Sequence, residues 1–222
     1  MVERFVDRQD AGRELADALK SYANRDDVVV LGLPRGGLPV AYEVADALRA
    51  PLDVFVVRKL GTPGHEEMAF GAIASGDVRV LNREVVEDLD LSADTIDKIE
   101  ERERRELERR ESLYRDNHTM PKLNDNIVIL VDDGLATGAT MRAAVQALKQ
   151  HNPAQIIVAV PTASREVCDE FQDMDAVNET ICLLKPDQFQ AVGQWYEQFE
   201  QTTDDQVRHL LQKARERENI TS

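Results

Sequence analysis

The sequence predicts an α/β fold in which an open parallel β-sheet is flanked by helices. Short runs that are apolar throughout and rich in β-branched residues recur along the chain, and helical stretches separate them. Strands of this kind are buried on both faces, as in a parallel sheet covered by helices. The 222 residues suffice for one large domain. Because ligands of such sheets bind at the carboxyl ends of the strands, we expect the chemistry directly after the apolar runs.

The predicted elements alternate along most of the chain. Apolar residues at helical spacing predict a first helix over 10–24. The predicted strands are 28–33, 52–57, 127–131, 156–160 and, with a less regular pattern, 179–184. The predicted helices between and after them are 39–49, 139–150, 165–172 and 204–217.

A charged segment interrupts this alternation. Ser92 is a predicted N-cap, and the helix it opens runs to about residue 115, with six acids and six bases within 98–111. Its narrow apolar stripe predicts a solvated helix that rests on the body, with a subunit contact as the alternative. We divide the chain into a body over 1–190, which carries this insertion at about 92–116, and a C-terminal hood and helix over 191–222.

Composition and charge exclude several classes of protein. A net charge of −15 argues against a surface that tracks nucleic-acid phosphates, although a few backbone N–H groups still suffice for a small anion. Cys168 and Cys182 have no partners at metal-ligand spacing, and we interpret both as ordinary thiols. The first ten residues carry five charges and no apolar run reaches eighteen residues, which predicts a cytoplasmic protein without a membrane span. A homodimer is the default expectation.

The most informative segment is 128–141, which reads VILVDDGLATGATM. An apolar strand ends in Asp132 and Asp133, and a loop of small residues then opens a helix. Small residues let the backbone close around a ligand, and the free N–H groups of a helix N-terminus suit a phosphate. Two carboxylates would repel that phosphate, so we expect them to accept hydrogen bonds from vicinal hydroxyls or to hold water on a cation. This combination predicts a sugar phosphate ligand.

The same segment closely resembles the phosphoribosyl pyrophosphate signature of type I phosphoribosyltransferases. The resemblance implies that Asp132 and Asp133 contact the ribose hydroxyls. It implies that the loop binds the 5-phosphate, through Ala136, Thr137, Gly138, Ala139 and Thr140. Enzymes for 6-oxopurines carry an aspartate where this chain has Ala136, which disfavours hypoxanthine and guanine as acceptors.

Two further segments follow predicted strands. The run 33–37, LPRGG, resembles the diphosphate-binding loop of that family, with Arg35, Gly36 and Gly37 at the ligand and a cis or strained peptide expected on the Arg35 side of Pro34. The segment 57–67 has no clear period and resembles a diphosphate clamp, Arg58 and Lys59, followed by a mobile loop.

No motif identifies the residues that would bind the acceptor, and the candidates come from residue type and position. Glu66 and Glu67 are candidates for proton handling or for orienting the acceptor, and we assign no role to His65. Aromatic side chains concentrate over 189–199. Trp195 and Tyr196 therefore either stack on a planar base or anchor the C-terminal segment, and the anchoring role is favoured.

The resemblance implies transfer of a 5-phosphoribosyl group from phosphoribosyl pyrophosphate to a nitrogenous acceptor with release of diphosphate. Asp132, Asp133, Arg58 and Lys59 would be the catalytic residues, and Mg²⁺ would be held mostly by the substrate, with the two acids reaching it only through water. Two alternatives stay open: a non-catalytic regulator that senses phosphoribosyl pyrophosphate or a nucleotide, and a phosphosugar hydrolase. The acceptor itself is not encoded in any motif.

Overall fold

The computed structural model describes residues 4–221 except Gly64 and Asn117, and describes residues 65–68, 220 and 221 by their backbone alone. Five parallel strands form the central sheet. Numbered along the chain, they are β1 Val28–Gly32, β2 Leu52–Val54, β6 Ile127–Val131, β7 Gln155–Thr162 and β8 Glu179–Leu184. They lie side by side in the order β2-β1-β6-β7-β8. The predicted parallel sheet is therefore confirmed, although β2 ends three residues earlier than expected.

Helices cover both faces of this sheet, which explains why β1 and β6 are apolar at every position. The covering helices are α1 Arg8–Ala18, α2 Gly37–Leu48, α5 Ala139–Lys149, α6 Arg165–Gln172 and α7 Asp204–Thr221. On β1, Val28 and Val30 face a core that α1, α2 and α7 complete, whereas Val29 and Leu31 face a core completed by α5 and α6. Successive side chains of a strand point to opposite faces, so a strand buried on both sides needs apolar residues at every position.

A second, antiparallel sheet corrects the prediction for residues 57–67. This segment forms β3 Val57–Thr62 and the start of β4 His65–Ala74, which pairs in turn with β5 Val78–Leu81. The register of β3 against β4 shifts on both sides of Gly61. Such a bulge breaks the two-residue alternation that marks a strand in a sequence, so the segment resembles a loop.

The charged helix docks along the antiparallel sheet. The short helix α3 Arg83–Asp88 is followed by α4 Ala93–Arg115. Ser92 is the N-cap of α4, and its side chain accepts a hydrogen bond from the Thr95 amide. The apolar stripe of α4 is buried, and the helix packs against β3, β4 and α7. At its end, buried Arg115 donates to Asp53 at 2.8 Å and to the Val54 carbonyl at 2.8 Å. The predicted helix on the body is thus confirmed, and a buried ion pair holds its C-terminal end to β2.

The two cysteines correct a second prediction. Cys168 of α6 and Cys182 of β8 form a disulfide, with their Cα atoms 6.5 Å apart. The expectation of two ordinary thiols was wrong because residues fourteen positions apart become neighbours only where α6 packs against β8. Within the described part of the chain, no helix combines the length and the apolar character needed to cross a bilayer.

Candidate active site

The loops that follow β1 and β6 lie side by side at the carboxyl edge of the central sheet. Gly32 pairs with Val131 at the strand ends, and the Leu33 amide donates to the Val131 carbonyl at 2.9 Å. A Cβ atom on Gly36 would lie 2.1 Å from Oδ2 of Asp133, and one on Gly37 would lie 2.7 Å from the Val131 carbonyl oxygen. Glycine at both positions therefore lets the first loop close against the acids of the second.

The first loop also contains the peptide geometry that the resemblance implies. The bond between Pro34 and Arg35 is cis. Arg35 itself lies 3.8 Å from a carboxylate oxygen of Asp204, the first residue of α7. The helix α2 begins at Gly37 without a side-chain N-cap. The residues predicted to bind diphosphate thus lie next to the residues predicted to bind the ribose. Arg35 faces Asp204, an acid of the C-terminal helix.

The second loop leads into the N-terminus of α5 around a small cavity. The cavity has a volume of about 180 Å³ and is lined by Asp132, Val192 and residues 134–141. Gly138 caps α5 with a φ of +71°, a left-handed conformation that glycine adopts without strain. Among the described residues, no acceptor contacts the amides of the loop between 136 and 138 or that of Thr140. Free N–H groups at a helix N-terminus form an anion site.

The two acids are half-buried and affect each other. Asp132 accepts a hydrogen bond from the Asp133 amide at 2.9 Å. Burial raises the pKa of the Asp132 carboxyl well above its ordinary value, and the charge of Asp133 raises it further. Burial raises the pKa of Asp133 as well, while the Arg8 guanidinium opposes that rise. Of the two, Asp133 is therefore the one whose charge has a cation to stabilise it.

Arg8, at the start of α1, is a site residue that the sequence did not reveal. Its Nε donates to Oδ2 of Asp133 at 2.8 Å, and both side chains are largely buried. The two residues are 125 positions apart, and no local pattern marks Arg8 among the other charges near it. Its guanidinium also lies 3.9 Å from the ring centroid of Phe199.

The aromatic residues of the C-terminal segment anchor it beside the acids. The Tyr196 hydroxyl donates to the Asp133 carbonyl at 2.6 Å, and its ring packs on Phe5. Burial and the charge of Asp133 raise the pKa of this hydroxyl, which keeps it a donor. Trp195 stacks on Phe189 with ring centroids 6.3 Å apart, and its carbonyl accepts from the Phe5 amide. These contacts agree with the favoured anchoring interpretation.

The two predicted clamp residues lie on β3 and both line a cavity of about 210 Å³ beside Glu103 of α4, but their further contacts differ. Arg58 donates to Glu103 of α4 at 2.9 and 2.5 Å. Lys59 lines a cavity of about 370 Å³ between the antiparallel sheet and α5, together with Ala139 and Arg142. Lys59 is thus near the start of α5, whereas Arg58 is held by the charged helix. The side chains of Glu66 and Glu67 lie outside the described residues.

Comparison with known proteins identifies the family to which this chain is similar. The sequence profile of the Phosphoribosyl transferase domain matches residues 2–193. The chain belongs to the phosphoribosyl transferase family. This member is 47% identical over 210 residues to a Mycobacterium tuberculosis protein named "Putative phosphoribosyl transferase Rv0571c". The match covers 95% of this chain and 47% of that protein, so the chain spans about half the length of these curated relatives.

One solved structure and one further sequence relative also resemble this chain. It resembles the crystal structure of TT1426 from Thermus thermophilus with a TM-score of 0.85 and 40% identity, covering 95% of this chain and 98% of the other. It is 29% identical over 136 residues to the "Bifunctional protein PyrR" of Clostridium acetobutylicum, a match that covers 61% of this chain and 57% of that protein. The five-stranded parallel sheet between helices is the type I phosphoribosyltransferase fold.

Proposed function

We propose that this protein transfers a 5-phosphoribosyl group from phosphoribosyl pyrophosphate to a nitrogenous base or similar acceptor and releases diphosphate. The observation that carries the proposal is the junction of the two loops, where free amides at the start of α5 share a cavity with Asp132, and where Gly36 lies against the Asp133 carboxylate. A phosphate site and two hydroxyl acceptors on one edge of the sheet match the two ends of a ribose 5-phosphate.

In this proposal the phosphate loop supplies binding energy far from the reacting carbon. The amides of 136–140 and the hydroxyls of Thr137 and Thr140 would hold the 5-phosphate, while Asp132 and Asp133 accept from the ribose hydroxyls. Fixing both ends of the sugar orients its anomeric carbon, which raises the rate by positioning. Arg35, with the backbone of Gly36 and Gly37, would hold the diphosphate.

The bond between the anomeric carbon and a diphosphate oxygen breaks as the acceptor nitrogen forms its bond to that carbon. The electron pair leaves with diphosphate, and the proton of the acceptor nitrogen passes to water, with Glu67 as the candidate residue to take it up first. Positive charge develops on the sugar and negative charge on the departing diphosphate in such displacements. Cations at the diphosphate stabilise that negative charge in the transition state. Arg35, Arg58 and Lys59 would do so, and Arg58 would exchange Glu103 for the diphosphate. Glu67, Trp195 and Tyr196 stay candidates for the acceptor side.

Magnesium is part of the proposal as an ion carried by the substrate. The described residues contain no group of three or more His, Cys, Asp or Glu side chains able to hold a metal by themselves. Mg²⁺ prefers oxygen ligands and keeps several waters, so diphosphate and ribose oxygens would hold it, with Asp132 and Asp133 contacting it through water. When bound, the ion neutralises the leaving diphosphate.

We also propose a cytoplasmic role in nucleotide metabolism, without nucleic acid as a partner, and a homodimer stays a prediction.

The decisive experiment measures diphosphate release from phosphoribosyl pyrophosphate with Mg²⁺ and a panel of purine, pyrimidine and other nitrogenous acceptors. We expect release that depends on one class of acceptor. Tight binding of phosphoribosyl pyrophosphate without turnover on any acceptor would instead favour a regulator. Release that needs no acceptor would favour a hydrolase.

The two loop glycines give a matched pair of variants. Gly36→Ala places its Cβ against the Asp133 carboxylate, whose movement has to displace only the Arg8 side chain, whereas Gly37→Ala meets backbone atoms of Val131 and Asp132 that cannot move aside. We expect Gly36→Ala to weaken phosphoribosyl pyrophosphate binding about tenfold with little loss of stability. Gly37→Ala is expected to destabilise the fold by about 1–3 kcal/mol. Calorimetric titration and thermal unfolding of both variants check this, and equal stability losses would contradict it.

A further inference from the structure

We propose that Arg8 is a positioning residue for Asp133, holding one oxygen of that carboxylate so that the other faces the ribose hydroxyls. The C-terminal segment, residues 195–200, holds Arg8 in turn. This inference rests on the proposed function, because it assigns Arg8 a purpose only if Asp133 binds the sugar.

Among the described residues, Arg8 is the basic side chain that donates a hydrogen bond to the Asp133 carboxylate, which also interacts with the neighbouring Asp132 carboxyl. The Arg8 Nε donates to Oδ2 at 2.8 Å, while Oδ1 has no cation of the described residues as a donor. The side chains of Arg8 and Asp133 are 11% and 14% exposed, so water is largely excluded from the pair. A charge-assisted hydrogen bond in such surroundings is stronger than at a surface. Arg8 therefore fixes the rotation of the carboxylate and leaves one oxygen as an acceptor.

Arg8 is itself held on two other sides by the C-terminal segment. Its Nη1 donates to the Glu200 carbonyl at 2.7 Å, and its guanidinium lies over the ring of Phe199. A planar guanidinium makes a hydrogen bond in its plane and stacks on an aromatic face at once, which an ammonium group does not. The side chain is thus fixed before any ligand arrives.

The same segment also fixes the backbone of Asp133. The Tyr196 hydroxyl donates to the Asp133 carbonyl, and the Tyr196 ring packs on Phe199 with centroids 5.0 Å apart. The charged and titratable groups that face Asp133 are Arg8 from α1, Asp132 from its own loop and Tyr196, while the loop before α2 faces it with Gly36. Carboxylate and carbonyl of one residue are therefore held from opposite ends of the chain.

The test is a double-mutant cycle on binding, with Arg8→Gln, Asp133→Asn and the double variant titrated with phosphoribosyl pyrophosphate and Mg²⁺ in a calorimeter. We expect Arg8→Gln to weaken binding about tenfold, and the double variant to bind no more weakly than Asp133→Asn alone. Arg8→Lys should recover part of the loss. Arg13→Gln is the control, because Arg13 lies on the same helix, is mostly exposed and pairs only with Asp10 among the described ion pairs.

Thermal unfolding of each free variant separates positioning from stability. A structural role alone would lower the melting temperature of Arg8→Gln and leave the affinity of the folded protein unchanged, which would overturn the inference. Additive losses in the cycle would also overturn it, as would tighter binding by Arg8→Gln, which would make the contact inhibitory. If Arg8→Gln does not fold, Phe199→Leu removes the aromatic surface under Arg8, together with the ring contact to Tyr196, and should weaken binding in the wild-type background but not in Asp133→Asn.

Failure of the proposed function has a different signature. If the wild-type protein does not bind phosphoribosyl pyrophosphate at all, the proposed function fails and this inference fails with it. If the wild type binds and the cycle is additive, only the role of Arg8 is rejected.

Discussion

Asp133→Asn is expected to weaken binding of phosphoribosyl pyrophosphate by roughly 10- to 100-fold while the protein stays folded. The substitution keeps the shape of the side chain but removes the charge, and hydrogen bonds to charged groups contribute about 1.5–3 kcal/mol. The amide also turns a donor toward Arg8 in place of an acceptor or leaves Arg8 with a weaker partner. Calorimetric titration with Mg²⁺ measures the affinity.

The same titration compares two further variants. Thr137→Ala removes a hydroxyl beside the free amides of the phosphate loop and is expected to weaken binding less than Asp133→Asn does, by up to about tenfold. Asp88→Asn, on the exposed end of α3, is the matched control and should bind like the wild type. Equal affinity of wild type, Asp133→Asn and Thr137→Ala would remove the assignment of this loop to the sugar phosphate.

Arg115→Met is expected to destabilise the protein by about 3–5 kcal/mol, the largest stability effect that we predict. Arg115 is 8% exposed and pairs with Asp53, which is 3% exposed. Removing the cation leaves the buried Asp53 carboxylate with the Val54 amide as its remaining donor among the described residues. A buried charge without its partner is costly because no water replaces the lost interaction. Urea or thermal unfolding measures the change.

Two companion variants test whether the pairing causes this loss. Arg105→Met lies on the same helix, where Arg105 is 73% exposed and pairs with Glu101, so its stability should change by less than about 0.5 kcal/mol. Asp53→Leu in the Arg115→Met background removes the orphaned charge and is expected to recover much of the stability. A similar loss in Arg105→Met and Arg115→Met, or no recovery in the double variant, would contradict the role of this ion pair.

The elements that the sequence predicted are those defined by nearby residues. The apolar runs predicted the strands of the central sheet, and the run from Ser92 to about residue 115 predicted α4 from its N-cap and spacing. The loop of small residues after Asp132 and Asp133 predicted a helix N-terminus with free amides, and it also indicated the family. In each case the signal lies within about twenty residues, and the local chain already restricts the conformation.

The features that the sequence did not predict share one physical origin, which is contact between residues far apart in the chain. The bulge beside Gly61 hid the hairpin of β3 and β4, and the pairing of Cys168 with Cys182 depends on how α6 lies against β8. The contacts of Arg58 with Glu103 and of Arg8 with Asp133 join residues 45 and 125 positions apart. No local pattern encodes such contacts.

By itself, the sequence determined the strands of the parallel sheet, the helices beside it and the small-residue loop that marks this protein as a member of the phosphoribosyl transferase family. Only the tertiary structure decided which charges meet at that loop, because the partner of a buried ion is chosen by the packing of whole elements. Periodicity and capping act over one or two turns of chain, whereas a carboxylate removed from water needs the nearest cation in space, wherever it stands in the sequence.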